Sequence, residues 1–394
     1  MPALISEEFA WLGKTDPEFK FYDGSVTLFY DDEPHVYYRY EDGKRVEVPG
    51  VTSVVHILDK SAALTQWAAN MACEAVRMKF EAYVGTGAQY AELTPQIIES
   101  WLAEAKYHHK NYKEAAGETG HIAHDWIERY IRFLIAENYD AAAALVGEMP
   151  DDVRAKNGCI AALDFMAKHQ VKWVFTERKI YSRDHDYAGT MDGLAYVTAC
   201  GDPDCCGVYD GLRLVPATFA NVLAVIDWKT SNGLYDEYHY QTAAYLKAIV
   251  EELGLVVEHR FIARLGKEDA KFEARYLPPD EVESDFAIFL MCLPLYRKTE
   301  ARKAAEKEHR DAVKALRKAE KEAAEAVEKA ERARIRAEKK EARAMSKEIY
   351  KHLRRDGLSA KESEAKTAEW LSARFIAIGG GDVEQLEEIG ELAA

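Results

Sequence analysis

The stretch NVLAVIDWKT, residues 221–230, is apolar apart from its ends and from an aspartate and a lysine two positions apart. A run of that kind reads as a buried strand, so the chain must build a sheet with material packed on both of its faces. Side chains alternate along a strand, which sends Ile226 and Trp228 to one face and Asp227 and Lys229 to the other. Burying either charge alone costs several kcal/mol, so the pair is either mutually satisfied or employed in chemistry. An isolated D-x-K of this sort is ordinarily a strand-end ion pair, and its neighbours decide which reading applies.

Residues 19–55 read as short strands with a turn at Glu41-Asp42-Gly43. Helical periodicity follows in DKSAALTQWAANMACEAVRMKFEAYV, in IIESWLAEAKYHHKNYKEAA and in GHIAHDWIERYIRFLIAENY, and again over Cys159–His169. VKWVFTERKIYS and YAGTMDGLAYV, joined by RDHD, read as a hairpin ahead of the DWK strand. The helix EYHYQTAAYLKAIVEELG comes next, then a second hairpin, HRFIARLG with KFEARYLP. This order predicts a mixed α/β domain around a central sheet. From about Asp280 a helix runs into a long charged stretch that Gly357 ends; a short helix, a Gly379-Gly380-Gly381 break and a tail helix close the chain.

The formal charge of −16 argues against casual nucleic-acid binding, yet it is unevenly spread. The stretch from Glu300 to Asp356 carries about +6, so the body is about −22 and would meet phosphate through a local groove or divalent ions. No twenty-residue apolar span is present, so no membrane partner is expected. MPALISEEFAWLGK lacks the basic-then-apolar pattern of a secretion signal, and the six cysteines are irregularly spaced. A reducing cytoplasm fits best.

Around the DWK strand sit other candidate groups. Gly189-Thr190-Met191-Asp192 brings a second carboxylate behind a glycine that permits close backbone approach. His124 and Glu128 share a helix face, as do Gln241 and Tyr245. Each alone has an ordinary reading, as a turn residue, a half-buried histidine or amphipathic-helix content. In order, GxxxH, E, GxxD, DxK and QxxxY form a specific series. With "GHIAHDWIE", "TERKIYS…YAGTMDGL", "VIDWKTS" and "YQTAAYLKAI", the chain resembles the RecB-like branch of the PD-(D/E)XK nuclease superfamily, and in particular Cas4-family bacteriophage exonucleases. VPGVTSVVHILDKSAALTQWAANMA is similar to the segment preceding the core in phage members and in mitochondrial genome-maintenance exonucleases. The resemblance spans roughly residues 30–260.

That resemblance implies a restriction-endonuclease-like core, a central mixed sheet flanked by helices. Along the chain the expected division is a strand-rich segment over 1–60, the nuclease-like core over 61–296, the charged helix over 297–356, which lies outside the resemblance, and a helical tail over 357–394. It makes Asp192 and Asp227 metal ligands, joined by His124 and the Trp228 carbonyl, with Mg²⁺ or Mn²⁺ as cofactor. Lys229 would sit beside the attacking water, and Gln241 and Tyr245 would reach back to the site and the DNA strand. Glu177 and Glu128 stand second to these. Gly117-Glu118-Thr119-Gly120-His121 also spells GxxxH; the family's small or aliphatic residues before its histidine, and Trp-Ile-Glu after it, select His124 over His121. The expected function is a metal-dependent DNA exonuclease of phage-type recombination or replication, beside a single-strand annealing protein as partner. The alternatives are an endonuclease on the same core and a non-catalytic DNA-binding or assembly protein.

Members with an iron–sulfur cluster hold it through one early and three late cysteines. Only Cys292 follows Tyr245, so no cluster is expected. Cys200, Cys205 and Cys206 crowd the loop ACGDPDCCG; with a nearby Asp or His they could bind zinc, but Cys-x₄-Cys-Cys is no standard zinc spacing, and a reduced loop is the preferred reading. In the charged stretch, small residues from Ala312 to Ala337 recur at heptad spacing. An alanine seam buries little, which favours a solvated helix or helical hairpin; the sharper reading is an oligomerising or DNA-facing arm.

Overall fold

The run that demanded cover on both sides is the middle strand of a five-stranded sheet. The structure, a computed structural model, describes residues 18–32, 34–58, 60–86, 93–136 and 146–378. Its chain falls into two units, Met1–Glu300 and Ala301–Ala394. In chain order the first unit holds β1 (Glu18–Phe21), β2 (Val26–Asp31), β3 (Val36–Glu41) and β4 (Lys44–Val48), then α1 (Val51–Val55), α2 (Ser61–Gly85), α3 (Pro95–Ile135) and α4 (Val153–Lys168). There follow β5 (Lys172–Ser182), β6 (Tyr187–Val197), α5 (Pro203–Cys206), β7 (Gly207–Asp210), β8 (Arg213–Pro216), β9 (Val222–Lys229), α6 (Glu237–Leu253), β10 (His259–Leu265) and β11 (Phe272–Leu277). α7 covers Val282–Arg355 and α8 covers Ala360–Ala377.

The central sheet has the order β11-β10-β9-β6-β5. Only β9 and β10 run parallel, because α6 carries the chain back across the sheet between them; the other neighbours are antiparallel. The fold is thus mixed α/β, as the order of elements predicts. Ile226 and Trp228 pack with Phe165 of α4, Phe261 of β10 and Trp126 and Ile127 of α3. Val225, on the opposite face, packs with Ala243, Tyr245 and Leu246 of α6, Val51 of α1 and Phe289 of α7. Helices therefore cover both faces, and the aspartate shares the α6 side.

The four N-terminal strands form their own antiparallel sheet, β1-β2-β3-β4. Phe21, Leu28, Tyr37 and Val48 bury against Tyr181 and Ala188 of the central hairpin, so this segment belongs to the same unit as the core. Two readings of the local structure change. The two helices expected across residues 95–135 are one, with Gly117 and Gly120 inside it. A helical glycine costs about 1 kcal/mol, but a Cβ on Gly120 would come within 2.6 Å of Thr230 Oγ1, and the bare backbone lets α3 press against the end of β9. The loop after Cys206 also holds a hairpin, β7–β8, turning at Asp210-Gly211-Leu212.

In the second unit α7 continues as a solvated helix, with ion pairs such as Arg334–Glu331 at 2.6 Å. Ala312, Leu316, Ala319 and the rest of the seam to Ala337 are exposed. α8 opens with a Ser359–Glu362 capping box and packs Leu371 and Ile378 onto Ala342, a helical hairpin at the end of the charged stretch. The expected tail helix lies outside the described residues. No described helix is long and apolar enough to cross a membrane.

Gly189 is the second point of close approach. A Cβ there would meet Tyr245 at 2.8 Å and Val51 at 3.2 Å. Gly189→Ala is expected to cost about 1–3 kcal/mol by overpacking, read as a lower urea midpoint; an unchanged midpoint would mean that Tyr245 has free room to move.

Candidate metal centre

Three strands and two helices bring charged groups together near the end of β9. Asp227 is fully buried. Its Oδ1 accepts a 3.1 Å hydrogen bond from Gln241 Nε2, which also donates to Tyr245 Oη at 2.9 Å. Gln241 and Tyr245 do this from one face of α6, four residues apart. The other oxygen, Oδ2, lies 2.6 Å from Lys229 Nζ but receives no aligned hydrogen bond. Lys229 is half-buried, with its ammonium 4.7 Å from the centre of the Tyr238 ring.

Asp192 lies on β6, the neighbouring strand, and its Oδ2 accepts a 2.7 Å hydrogen bond from the Trp228 N–H. Trp228 thus joins the site through its main chain, and its indole packs into the core on the other face. Glu177 comes from β5. Thr176 pairs with Gly193 and Arg178 with Met191, leaving Glu177 across from Asp192. It sits there with φ of 48°, in the left-handed region that a residue with a Cβ rarely occupies inside a strand. His124 of α3 completes the group. One ligand atom from each of His124, Glu177 and Asp192 lies within 4.8 Å of the others.

The electrostatics follow from this crowding. Burial pushes Glu177 well above the usual carboxylate range, and the Asp192 and Glu128 charges push it further. Asp192 is raised by burial, against the pull of Lys229 and the Trp228 N–H. Asp227 rises to about 6, again by burial first, with Asp192 adding to it and Lys229 opposing. His124 falls to about 4 because burial and the Lys229 charge both disfavour the imidazolium, so it presents a neutral lone pair. Burial works against the Lys229 ammonium too, yet Asp227 and Asp192 outweigh it and raise its pKa. One ligand atom from each of His124, Glu177 and Asp192 within 4.8 Å of the others, two carboxyl oxygens and a neutral imidazole, fits a divalent cation.

The sequence-expected residues therefore fare differently. His124, Asp192, Asp227, Lys229, Gln241 and Tyr245 converge. Glu177, ranked second, is one of the three closest ligand groups. Glu128 is bound to Arg132, at 2.8 Å from Nε, and acts on the site as a nearby charge. His121 is exposed, on the outer side of α3. Lys179 was missed. Burial lowers its pKa against the pull of Glu177 and Asp32, and its Nζ donates to Thr190 Oγ1 at 2.9 Å. The signal was present, for Glu177 and Lys179 repeat on β5 the two-residue spacing of Asp227 and Lys229.

Neither the family models scanned nor the curated sequences searched gave a match to this chain.

The Glu177 carboxyl binds its proton more tightly folded than unfolded. Its charge therefore erodes stability as pH rises above the unfolded carboxylate range. In chelator near pH 8, Glu177→Gln is expected to raise the thermal midpoint by a few degrees, the size of a 1 kcal/mol effect. The gain should shrink as pH falls towards 5. Calorimetry across that range checks it; a midpoint below wild type throughout would mean that the carboxylate is held by partners.

Proposed function

We propose that this chain is a metal-dependent deoxyribonuclease of the PD-(D/E)XK type, acting as an exonuclease on DNA ends. The observation that carries the reading is the meeting of His124, Glu177 and Asp192 within 4.8 Å, beside the buried Asp227–Lys229 pair. A five-stranded mixed sheet with helices on both faces is compatible with that core. The order of motifs along the chain supports the same assignment.

In this reading His124, Glu177, Asp192 and Asp227 hold Mg²⁺ or Mn²⁺. The bound cation would lower the pKa of a coordinated water and offset phosphate charge. Lys229, kept as an ammonium by Asp227, donates a hydrogen bond to the attacking water or to a phosphate oxygen. Neutral His124 offers a lone pair and no proton at physiological pH. Gln241 fixes the rotamer of Asp227, and Tyr245 fixes Gln241, so the carboxylate keeps its aim when the site fills.

The test uses end-labelled linear DNA and closed circular DNA with Mg²⁺, Mn²⁺ or EDTA. Loss of linear DNA alone, dependent on metal, is expected. Nicked circles would move the assignment to an endonuclease, and intact DNA under all conditions would remove the catalytic reading. Lys229→Ala and Asp192→Asn should each lower the rate by about 10²–10³-fold, the range in which removal of one electrostatic partner is felt. Mn²⁺ should raise the thermal midpoint of wild type and of Lys229→Ala, but not that of Asp192→Asn. Equal shifts in all three would place the ion elsewhere.

A further inference from the structure

A second cluster of metal-ligand side chains lies in the connection between β6 and β9, and the nuclease reading makes no use of it. Cys200 follows the end of β6, and Cys205 and Cys206 form the last turn of α5. The structure adds a group from far upstream: His169, which caps the C-terminus of α4. One ligand atom from each of His169, Cys200, Cys205 and Cys206 lies within 4.8 Å of the others. His169 and Cys206 are fully buried, Cys205 nearly so, and Cys200 half-buried. All three thiols are free.

Three of the ligand–ligand spacings are close to the edges of a zinc tetrahedron. Cys200 Sγ lies 3.4 Å from Cys206 Sγ, Cys206 Sγ lies 3.9 Å from Cys205 Sγ, and His169 Nε2 lies 3.2 Å from Cys205 Sγ. Zinc with bonds of about 2.3 Å to sulfur and about 2.0 Å to nitrogen has ligand–ligand edges of about 3.5–3.8 Å. The histidine is also oriented for the task. Its Nδ1 is 3.1 Å from the Thr198 carbonyl, which can only accept, so Nδ1 carries the hydrogen and Nε2 keeps its lone pair. The Thr198 N–H donates in turn to the His169 carbonyl at 2.9 Å, which locks the ring to the end of β6. A main-chain carbonyl on the far nitrogen is the usual support behind a metal-bound imidazole. The longer Nδ1 contact to Cys206 Sγ, 3.8 Å, does not compete with it.

The cysteine backbone is fixed separately. The Asp202 carbonyl accepts from the N–H groups of Cys205 and Cys206, and the Asp202 side chain accepts from the Asp204 N–H. Lys168 Nζ, 3.2 Å from Asp202 Oδ2, sets a cation near the thiols. We propose that His169, Cys200, Cys205 and Cys206 bind one zinc ion in a closed structural site. Four protein ligands leave no open position, so the ion is a cross-link and takes no part in hydrolysis. It ties the end of α4 to the excursion that separates the strands of Asp192 and Asp227. Soft thiolates select zinc here, while the oxygen-rich group near the end of β9 suits Mg²⁺ or Mn²⁺.

The test is elemental analysis of the full chain, purified under reducing conditions and passed over a chelating resin. About one zinc per chain is expected, unchanged in Asp192→Asn and lowered about tenfold or more in Cys206→Ser and His169→Ala. Replacement by Co²⁺ should give the intense visible bands of tetrahedral thiolate coordination, lost in Cys200→Ser, the substitution at the more exposed ligand. Should the buried variants not fold, titrating wild type with an organomercurial should release zinc in step with modification of these thiols. No zinc in reduced, zinc-supplemented protein would overturn the proposal. So would iron in its place, a Cys200–Cys206 disulfide in unreduced peptide maps, or full zinc retention in both Cys200→Ser and Cys206→Ser.

Discussion

Asp227 lies wholly out of water, with one oxygen bonded to Gln241 and the other against the Lys229 ammonium, and the groups around it are arranged by that fact. A buried carboxylate needs partners; Lys229 pulls on Asp227 and Asp192, and Lys179 and Arg132 pull on Glu177, yet burial outweighs them all. Burial raises the proton affinity of all three acids, the Asp192 charge adds to it at Glu177 and Asp227, and the same burial strips His124 of its proton. The scaffold keeps them crowded by bringing backbones unusually close: Gly120 lets α3 meet Thr230, and Gly189 makes room for Tyr245. Packing holds the charges where their mutual repulsion would otherwise spread them.

Much of this arrangement could be read from the chain, because period-two alternation is a strong constraint inside an apolar run. It put Asp227 and Lys229 on one face and Ile226 and Trp228 on the other, as the two core clusters require. Helical spacing likewise joined Gln241 to Tyr245. Choosing His124 over His121 rested on family pattern, and the physical reason is that His121 faces outward on α3. Glu177 stood second because its E-x-K spacing with Lys179 gives no sign of the left-handed backbone it adopts inside the strand. His169 escaped notice for a different reason. A cap residue distant in sequence comes beside the cysteines only once α4 has packed on the sheet. The two helical stretches read across 95–135 are one helix, and Gly120 sits inside it where the backbone presses against Thr230.

β6 and β9 connect the two clusters. Their pairing runs from Gly193 opposite Ile226 to Val197 opposite Val222. The carboxylates lie towards the first of these rungs, and the cysteines follow the last. Hard and soft donors are thus sorted to opposite ends of one strand pair, so ions of different character need not compete for a single pocket.

Glu177 has a consequence for how such a molecule can change. Glycine relieves a left-handed backbone at little steric cost, and asparagine tolerates it better than glutamate does. Selection for heat tolerance alone would thus favour exchanging this side chain, and the same exchange would remove an acid from the cluster. Backbone strain and local acidity thus meet at one position, and the exchange that eases the first takes a carboxylate out of the group.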